Sequence, residues 1–165
     1  MNAGQYIQWQ DLFVLLDDGS IPISRYAPLE AAMREQARAY PRGVALLCIL
    51  PPDARPPPEE VRRSLKATLM RLAPMISGLA YVIEGTGFKA VAARATLVGM
   101  KIFSLRPYPI YVEVSVREAL SKLVSHMVNG HMLSIEMVMK TIADARLTWQ
   151  APIPAHTPES EMTIK

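Results

Sequence analysis

The segment of this 165-residue chain that most invites a chemical reading is Gly85-Thr86-Gly87-Phe88-Lys89-Ala90. It has the form G-x-G-x-x-A, follows an apolar run and opens a helical pattern. In that setting the glycines let backbone approach a pyrophosphate seated on the helix N-terminus. Two observations weigh against a dinucleotide. The match falls in mid-chain, outside a first strand–helix–strand unit. About twenty residues on, where an acid should hold the ribose, stand Ser104, Leu105 and Arg106. A tight strand-to-helix turn also asks for glycine on its own account. No cofactor is expected.

The other reactive side chains are scattered. Cys48, the only cysteine, lies in the apolar run Val44–Leu50, where a free thiol acts as a small hydrophobe. His126 and His131 stand five apart across Asn129-Gly130, so they do not share a helix face as metal ligands would. Each is expected at the end of an element, bonded or solvated. Glu59 and Glu60 are adjacent and diverge on a helix, so they cannot pair as acid and base. Ser77-Gly78 lacks the pattern of a nucleophile elbow. No metal is expected, and the chain reads as a non-enzyme.

Basic residues form two loose groups, Arg62, Arg63, Lys66 and Arg71, then Lys89, Arg94, Lys101 and Arg106. Together they make either a positive surface for an acidic partner, anionic lipid or nucleic acid, or an ordinary solvated helix face. Nucleic acid is the poorest fit. Aromatics are not interleaved with these residues, and a net charge of +3 is mild. Half of the residues are hydrophobic and a fifth charged, a globular balance. No apolar run nears the ~20 residues of a membrane span. The opening residues Met1 to Gln5 carry neither a basic nor an apolar leader region, so the expected setting is cytoplasmic.

The elements that must position these residues follow from periodicity and punctuation. Three zones are expected: an α/β domain over 1–128, an amphipathic helix over 129–146, and a proline-containing tail over 147–165. Tyr6, Ile7 and Trp9, then Leu12 to Leu16, read as a β-hairpin or meander, with a turn at Asp17-Asp18-Gly19 and a short edge strand around Ile21 and Ile23. A helix over 28–40 carries the stripe Leu29, Met33, Ala37 and Tyr40. The runs Val44–Leu50, Leu79–Ile83 and Ile110–Val114 read as buried neighbouring strands. Between them lie a stiff proline loop over 51–58, a helix from Glu59 with stripe Val61, Leu65, Thr68, Leu69 and Leu72, and a helix with stripe Phe88, Val91, Ala95, Val98 and Ile102. Pro74 and Gly78 are expected to close the second helix. Ser115 and Glu118 form a capping box for a fourth helix, closed by Asn129-Gly130. Strands alternating with helices imply a largely parallel sheet.

That order resembles the STAS family, the fold of the anti-sigma-factor antagonists, over roughly residues 5–128. The residues that carry the resemblance are the helix from Phe88 to Ile102, the join Pro107-Tyr108-Pro109, the strand Ile110–Val114 and the helix opening Ser115-Val116-Arg117-Glu118-Ala119-Leu120. The resemblance implies a mixed sheet with packed helices and a bacterial regulatory or scaffold protein acting through protein–protein interaction. It does not extend to the family's phosphorylatable serine. The matching place reads Pro51-Pro52-Asp53-Ala54-Arg55-Pro56-Pro57-Pro58, without a hydroxyl, so no kinase switch is expected there. Asp53 is either a fixed negative charge or a turn residue.

In the C-terminal zone, Ile135, Val138, Met139, Ile142 and Ala145 fall on one helical stripe. Four such side chains left in water would form a patch that monomers seldom tolerate, so the stripe must be covered. The expected cover is a partner protein or a second copy of the chain, with the chain's own domain as the alternative. The expected interaction residues are Asp53, Arg55, Arg62, Arg63, Ile135, Val138, Met139 and Ile142. Two rival readings stay open: a small-molecule or lipid-binding domain using the turn Gly85–Lys89, and an enzyme on an α/β scaffold.

Overall fold

The apolar runs pair with their nearest neighbours in the chain. In the computed structural model, which describes residues 6–17, 21–52, 57–102 and 107–150 without the side chains of 99–102 and 148–150, five strands form one sheet in the order β1-β2-β3-β4-β5. Strand β1 (Tyr6–Trp9) pairs antiparallel with β2 (Leu12–Leu16), Trp9 opposite Leu12. Strands β3 (Val44–Leu50), β4 (Ile76–Ile83) and β5 (Ile110–Glu113) then add in parallel. The three apolar runs expected as central neighbours are thus contiguous in a mixed sheet, and the class is α/β, but β5 is an edge strand rather than a central one and only its Ile110 is buried.

The hairpin turn is Gln10-Asp11. Gln10 takes a left-handed φ of 51° without being glycine, which costs roughly 1–2 kcal/mol. The Gln36 amide holds it, donating to the carbonyls of Gln10 at 2.5 Å and Leu12 at 3.0 Å. The expected edge strand around Ile21 and Ile23 does not form. Ile21 is buried in a loop and Ile23–Arg25 makes a 3-10 turn into α1 (Tyr26–Ala39). The physical reason is that β2 already has β1 on one side and β3 on the other, so it offers no free edge.

Each crossover steps to the next strand in the same direction, so the right-handed rule lays α1, α2 (Glu59–Leu72) and α3 (Phe88–Ile102) on one face of the sheet. Met33 of α1 and Leu72 of α2 pack there on Phe13, Leu46 and Leu79. The opposite face belongs to α4 (Val116–Leu123) and α5 (Ile135–Gln150). Leu120, Leu123, Val138 and Ile142 pack there on Leu12, Val14, Leu47 and Val82. Strand β3 is covered on both faces, as its unbroken apolar run requires.

Several boundaries differ from the sequence pattern. Gly78 does not stop a helix but lies inside β4. A Cβ there would come within 3.3–3.4 Å of Leu123 and His126, so the glycine admits α4 close to the strand. Ser115 caps α4 as expected, accepting from the Glu118 N–H at 3.2 Å. The helix then ends at Leu123, six residues before the expected stop. Asn129-Gly130 instead leads into a 3-10 turn, Gly130–Met132, packed so tightly that a Cβ on Gly130 would meet the Val124 carbonyl oxygen. Helix α5 starts at Ile135 rather than at 129 and runs on to 150, so the first residues of the expected tail are helical; 151–165 lie outside the described residues.

The largest correction concerns the stripe of α5. Val138 and Ile142 are each 2% exposed, and Ile135, Met139 and Ala145 pack on the same core. The chain's own core covers them, because α5 packs beside α4 and the two helices together shield that face of the sheet. The surface expected to meet a partner is interior.

Candidate interaction surface

Strand β4 ends at Ile83, and the chain must reverse over Glu84–Gly87 to begin α3. Gly85 takes φ +102°, a conformation that glycine adopts without a Cβ clash. The carbonyls of this turn are held from within α3. The Arg94 guanidinium donates to the Ile83 carbonyl at 2.6 Å and the Gly85 carbonyl at 2.8 Å. That clamp sets the rotation of the helix. Arg94 turns inward together with Ala90, which is 2% exposed, and the half-buried Ala93 and Leu97.

The expected buried stripe therefore faces water. Phe88 is 86% exposed, Val91 51% and Val98 45%, and Ala95 between them is also exposed. These residues sit at i, i+3, i+7 and i+10, one continuous apolar strip. Sequence reasoning had found the strip and assigned it the wrong side. Two alanines and a leucine form a flatter face that lets α3 lie close to the sheet, and an anchoring arginine outweighs a phenylalanine.

The strip begins at the carboxyl end of the strands, beside the loop that leaves β3. A Cβ on Gly85 would meet the Cβ of Pro52 at 3.4 Å, so the proline loop and the β4–α3 turn touch. Helix α2 starts from that loop. Its Arg62 and Lys66 are exposed and, like Lys89 at the start of α3, carry no ion pair among the described residues. Arg63 pairs with Glu59 at 2.8 Å. Of the remaining basic residues, Arg94 holds the turn, and the Lys101 side chain and Arg106 lie outside the described residues. Arg71 crosses to α1 and binds Glu30 at 2.7 Å, and Arg34 binds the same carboxylate. The Arg71 hydrogen bond, aided by Arg34, holds Glu30 below the ordinary carboxylate range.

Of the expected interaction residues, then, Arg62 and Arg63 are exposed on α2. Ile135, Val138, Met139 and Ile142 are packed on the core. Asp53 and Arg55 lie outside the described residues.

The reactive side chains stay dispersed. Cys48 is buried between strand and helices, and burial pushes its thiol pKa far up, with Asp17 adding to the effect. His126 meets the Tyr111 hydroxyl at 2.7 Å, with the two rings stacked, while His131 is exposed. Asp11 is fully buried, and its Oδ2 accepts from the N–H of Val128 at 2.5 Å and of Asn129 at 3.3 Å. It latches the β1–β2 turn to the segment joining α4 and α5. Sequence reasoning missed this residue, whose only local signal was an acid between two apolar runs.

Among the described residues no group of three His, Cys, Asp or Glu side chains could hold a metal ion. A shallow cleft of about 370 Å³ opens beside Glu84, Ser115, Arg117 and Arg146. Both of its arginines are tied, Arg146 to Glu84 at 3.0 Å and Arg117 to Glu136 at 2.7 Å.

The class that these observations define is an α/β domain with a five-stranded mixed sheet covered on both faces. No described helix is long and apolar enough to cross a membrane. Compared with known proteins, the chain matches no family model, no curated protein and no solved structure.

Proposed function

We propose that this chain is a non-catalytic interaction domain, a bacterial cytoplasmic regulatory or scaffold protein that works by binding another protein through the outer side of α3. One observation carries the reading: the apolar strip Phe88, Val91 and Val98 stands in water on a helix whose inward face is already satisfied. Soluble chains seldom leave such a contiguous strip bare without using it. The resemblance of residues 88–120 to the STAS family supports the same reading, since that family acts by docking on partner proteins.

The test replaces Phe88 and Val91 with serine. Both side chains are mostly outside the core, so stability should stay within about 0.5 kcal/mol of the wild type. In extracts of cells that naturally make the chain, the wild type should elute in a complex larger than the monomer, and the double variant should not. A wild-type chain that elutes only at monomer size, in extracts and after chemical cross-linking, would count against the reading.

A further inference from the structure

Helix α5 lies on the face of the sheet opposite α3, yet its end stands where α3 begins. Arg146 binds Glu84 at 3.0 Å, and Glu84 opens the turn that leads to Phe88. The chain therefore leaves α5, at Gln150, close to the head of the apolar strip. Resting on the proposed interaction role, we infer that residues 151–165 cross the rim of the sheet and lay Met162 and Ile164 on the strip of Phe88, Val91 and Val98. The segment is a competitor for the surface of α3, which the partner protein must displace.

Reach allows this. The path from Gln150 back through the Arg146–Glu84 pair to Phe88 is at most about 35 Å, and the strip itself is about 15 Å long. Residues 151–161 carry Pro152, Pro154 and Pro158, which cannot extend α5 and favour an extended chain of about 3.1 Å per residue. That length, about 34 Å, brings the next residues onto the strip. Met162 and Ile164 stand two apart, so in an extended chain they project to one side about 6–7 Å from each other. The step matches one turn of α3, about 5 Å, which separates Val91 from its neighbours in the strip.

Area favours a tethered occupant. The three side chains leave roughly 300 Å² of apolar surface in water. A stable interface between free proteins needs about 800 Å² from each. Two copies meeting strip to strip fall short of that, and a separate partner must add contacts beyond the strip. A segment of the same chain needs no more than the strip, because it arrives at an effective concentration in the millimolar range and pays only for loop closure.

The experiment places a photo-cross-linking residue at Val91, and separately at Val98, in the purified full chain. Circular dichroism first confirms that each variant is folded. Mass spectrometry then maps the attachment. The expected product keeps the mass of one chain and joins α3 to residues 151–165. Its yield should hold through about a ten-fold dilution, as for any tethered contact. The paired changes Met162→Ser and Ile164→Ser should lower it at least about five-fold. In extracts of the cells that make the chain, the same pair of changes should raise the share eluting with a partner by about five-fold, the gain for a strip otherwise closed about four-fifths of the time.

A product of twice the mass, attachment elsewhere in the chain, no attachment, or a yield that falls on dilution or survives the serine changes overturns the inference. So does an equal partner-bound share for both chains. A complex without attachment to 151–165 leaves the interaction role standing and removes the competitor. Attachment without a complex from either chain removes the interaction role, and with it the competition.

Discussion

Removing the Asp11 carboxylate should loosen the last third of the chain from the sheet. Its Oδ2 accepts two backbone N–H groups, from Val128 at 2.5 Å and Asn129 at 3.3 Å, at a site closed to water. A hydrogen bond to a charged acceptor contributes about 1.5–3 kcal/mol net, and the longer of the two falls at the weak end. Asp11→Ala leaves both N–H groups without a partner and should cost about 3–4 kcal/mol. Asp11→Asn keeps a carbonyl acceptor and removes a buried charge whose Oδ1 has no hydrogen-bond partner among the described residues. It should therefore cost about 1 kcal/mol or less, since the relief of desolvation offsets the weaker bonds. For a chain of this length each kcal/mol moves Tm by about 2–4 °C, so the alanine variant should melt about 6–16 °C lower. Urea titration gives the stabilities, and hydrogen exchange locates the effect. The Val128 and Asn129 amides should lose protection in Asp11→Ala while those of β3 keep theirs in proportion to global stability. An asparagine variant as damaged as the alanine one, or protected Val128 and Asn129 amides in Asp11→Ala, would show that the carboxylate is not the latch.

Three further outcomes follow from the packing and the charges. Ile142→Ala should cost about 2–4 kcal/mol, against about 0.5 for the exposed Met137→Ala; equal urea midpoints would mean that α5 is not part of the core. Because Glu30 is ionised more readily in the folded chain than at its ordinary value of 4.5, its pairing stabilises fully above that pH and is lost as pH falls through the lowered folded value. Glu30→Gln should flatten the stability curve over that acid limb, and an unchanged slope would contradict the Arg71 and Arg34 pairing. The Cys48 thiol, buried and held protonated, should react with a thiol reagent only as fast as the chain unfolds, so a reagent-dependent burst in the native protein would place it nearer the surface.

Strands were the most legible part of the sequence. Val44–Leu50 is apolar at every position and flanked by Gly43 and Pro51, a pattern that fits a strand covered on both faces. The capping box at Ser115 was equally clear, because its partners are three residues apart. Legibility failed where the deciding partner is distant in the chain or where apolarity alone was used to orient a helix. Phe88, Val91 and Val98 outrank Ala90, Ala93 and Leu97 on any hydropathy scale, yet α3 turns the smaller set inward, because Arg94 holds the turn and small side chains let the helix lie close. The stripe of α5 was visible, but periodicity names a face without naming what covers it. Asp11 and Val128 are 117 residues apart, so no local pattern could connect them. The candidate surface was accordingly half legible. Arg62 and Arg63 stood out by charge, while the exposed strip of α3 was assigned to the core.

The coincidence of strand order with chain order bears on how the protein is made. Each new strand adds beside the one before it, so residues up to 113 can build the sheet and its first helical layer as they leave the ribosome. The other face, with Leu12, Val14, Leu47 and Val82, has no cover until α4 and α5 arrive. At about 5–20 residues per second, those last helices take roughly 2–7 s to synthesise. For that interval the nascent chain carries a broad apolar sheet surface, its period of greatest exposure to chaperones and to aggregation. The Asp11 latch cannot close before Val128 and Asn129 exist, so a ribosome that pauses shortly after β5 holds the chain in its most adhesive form.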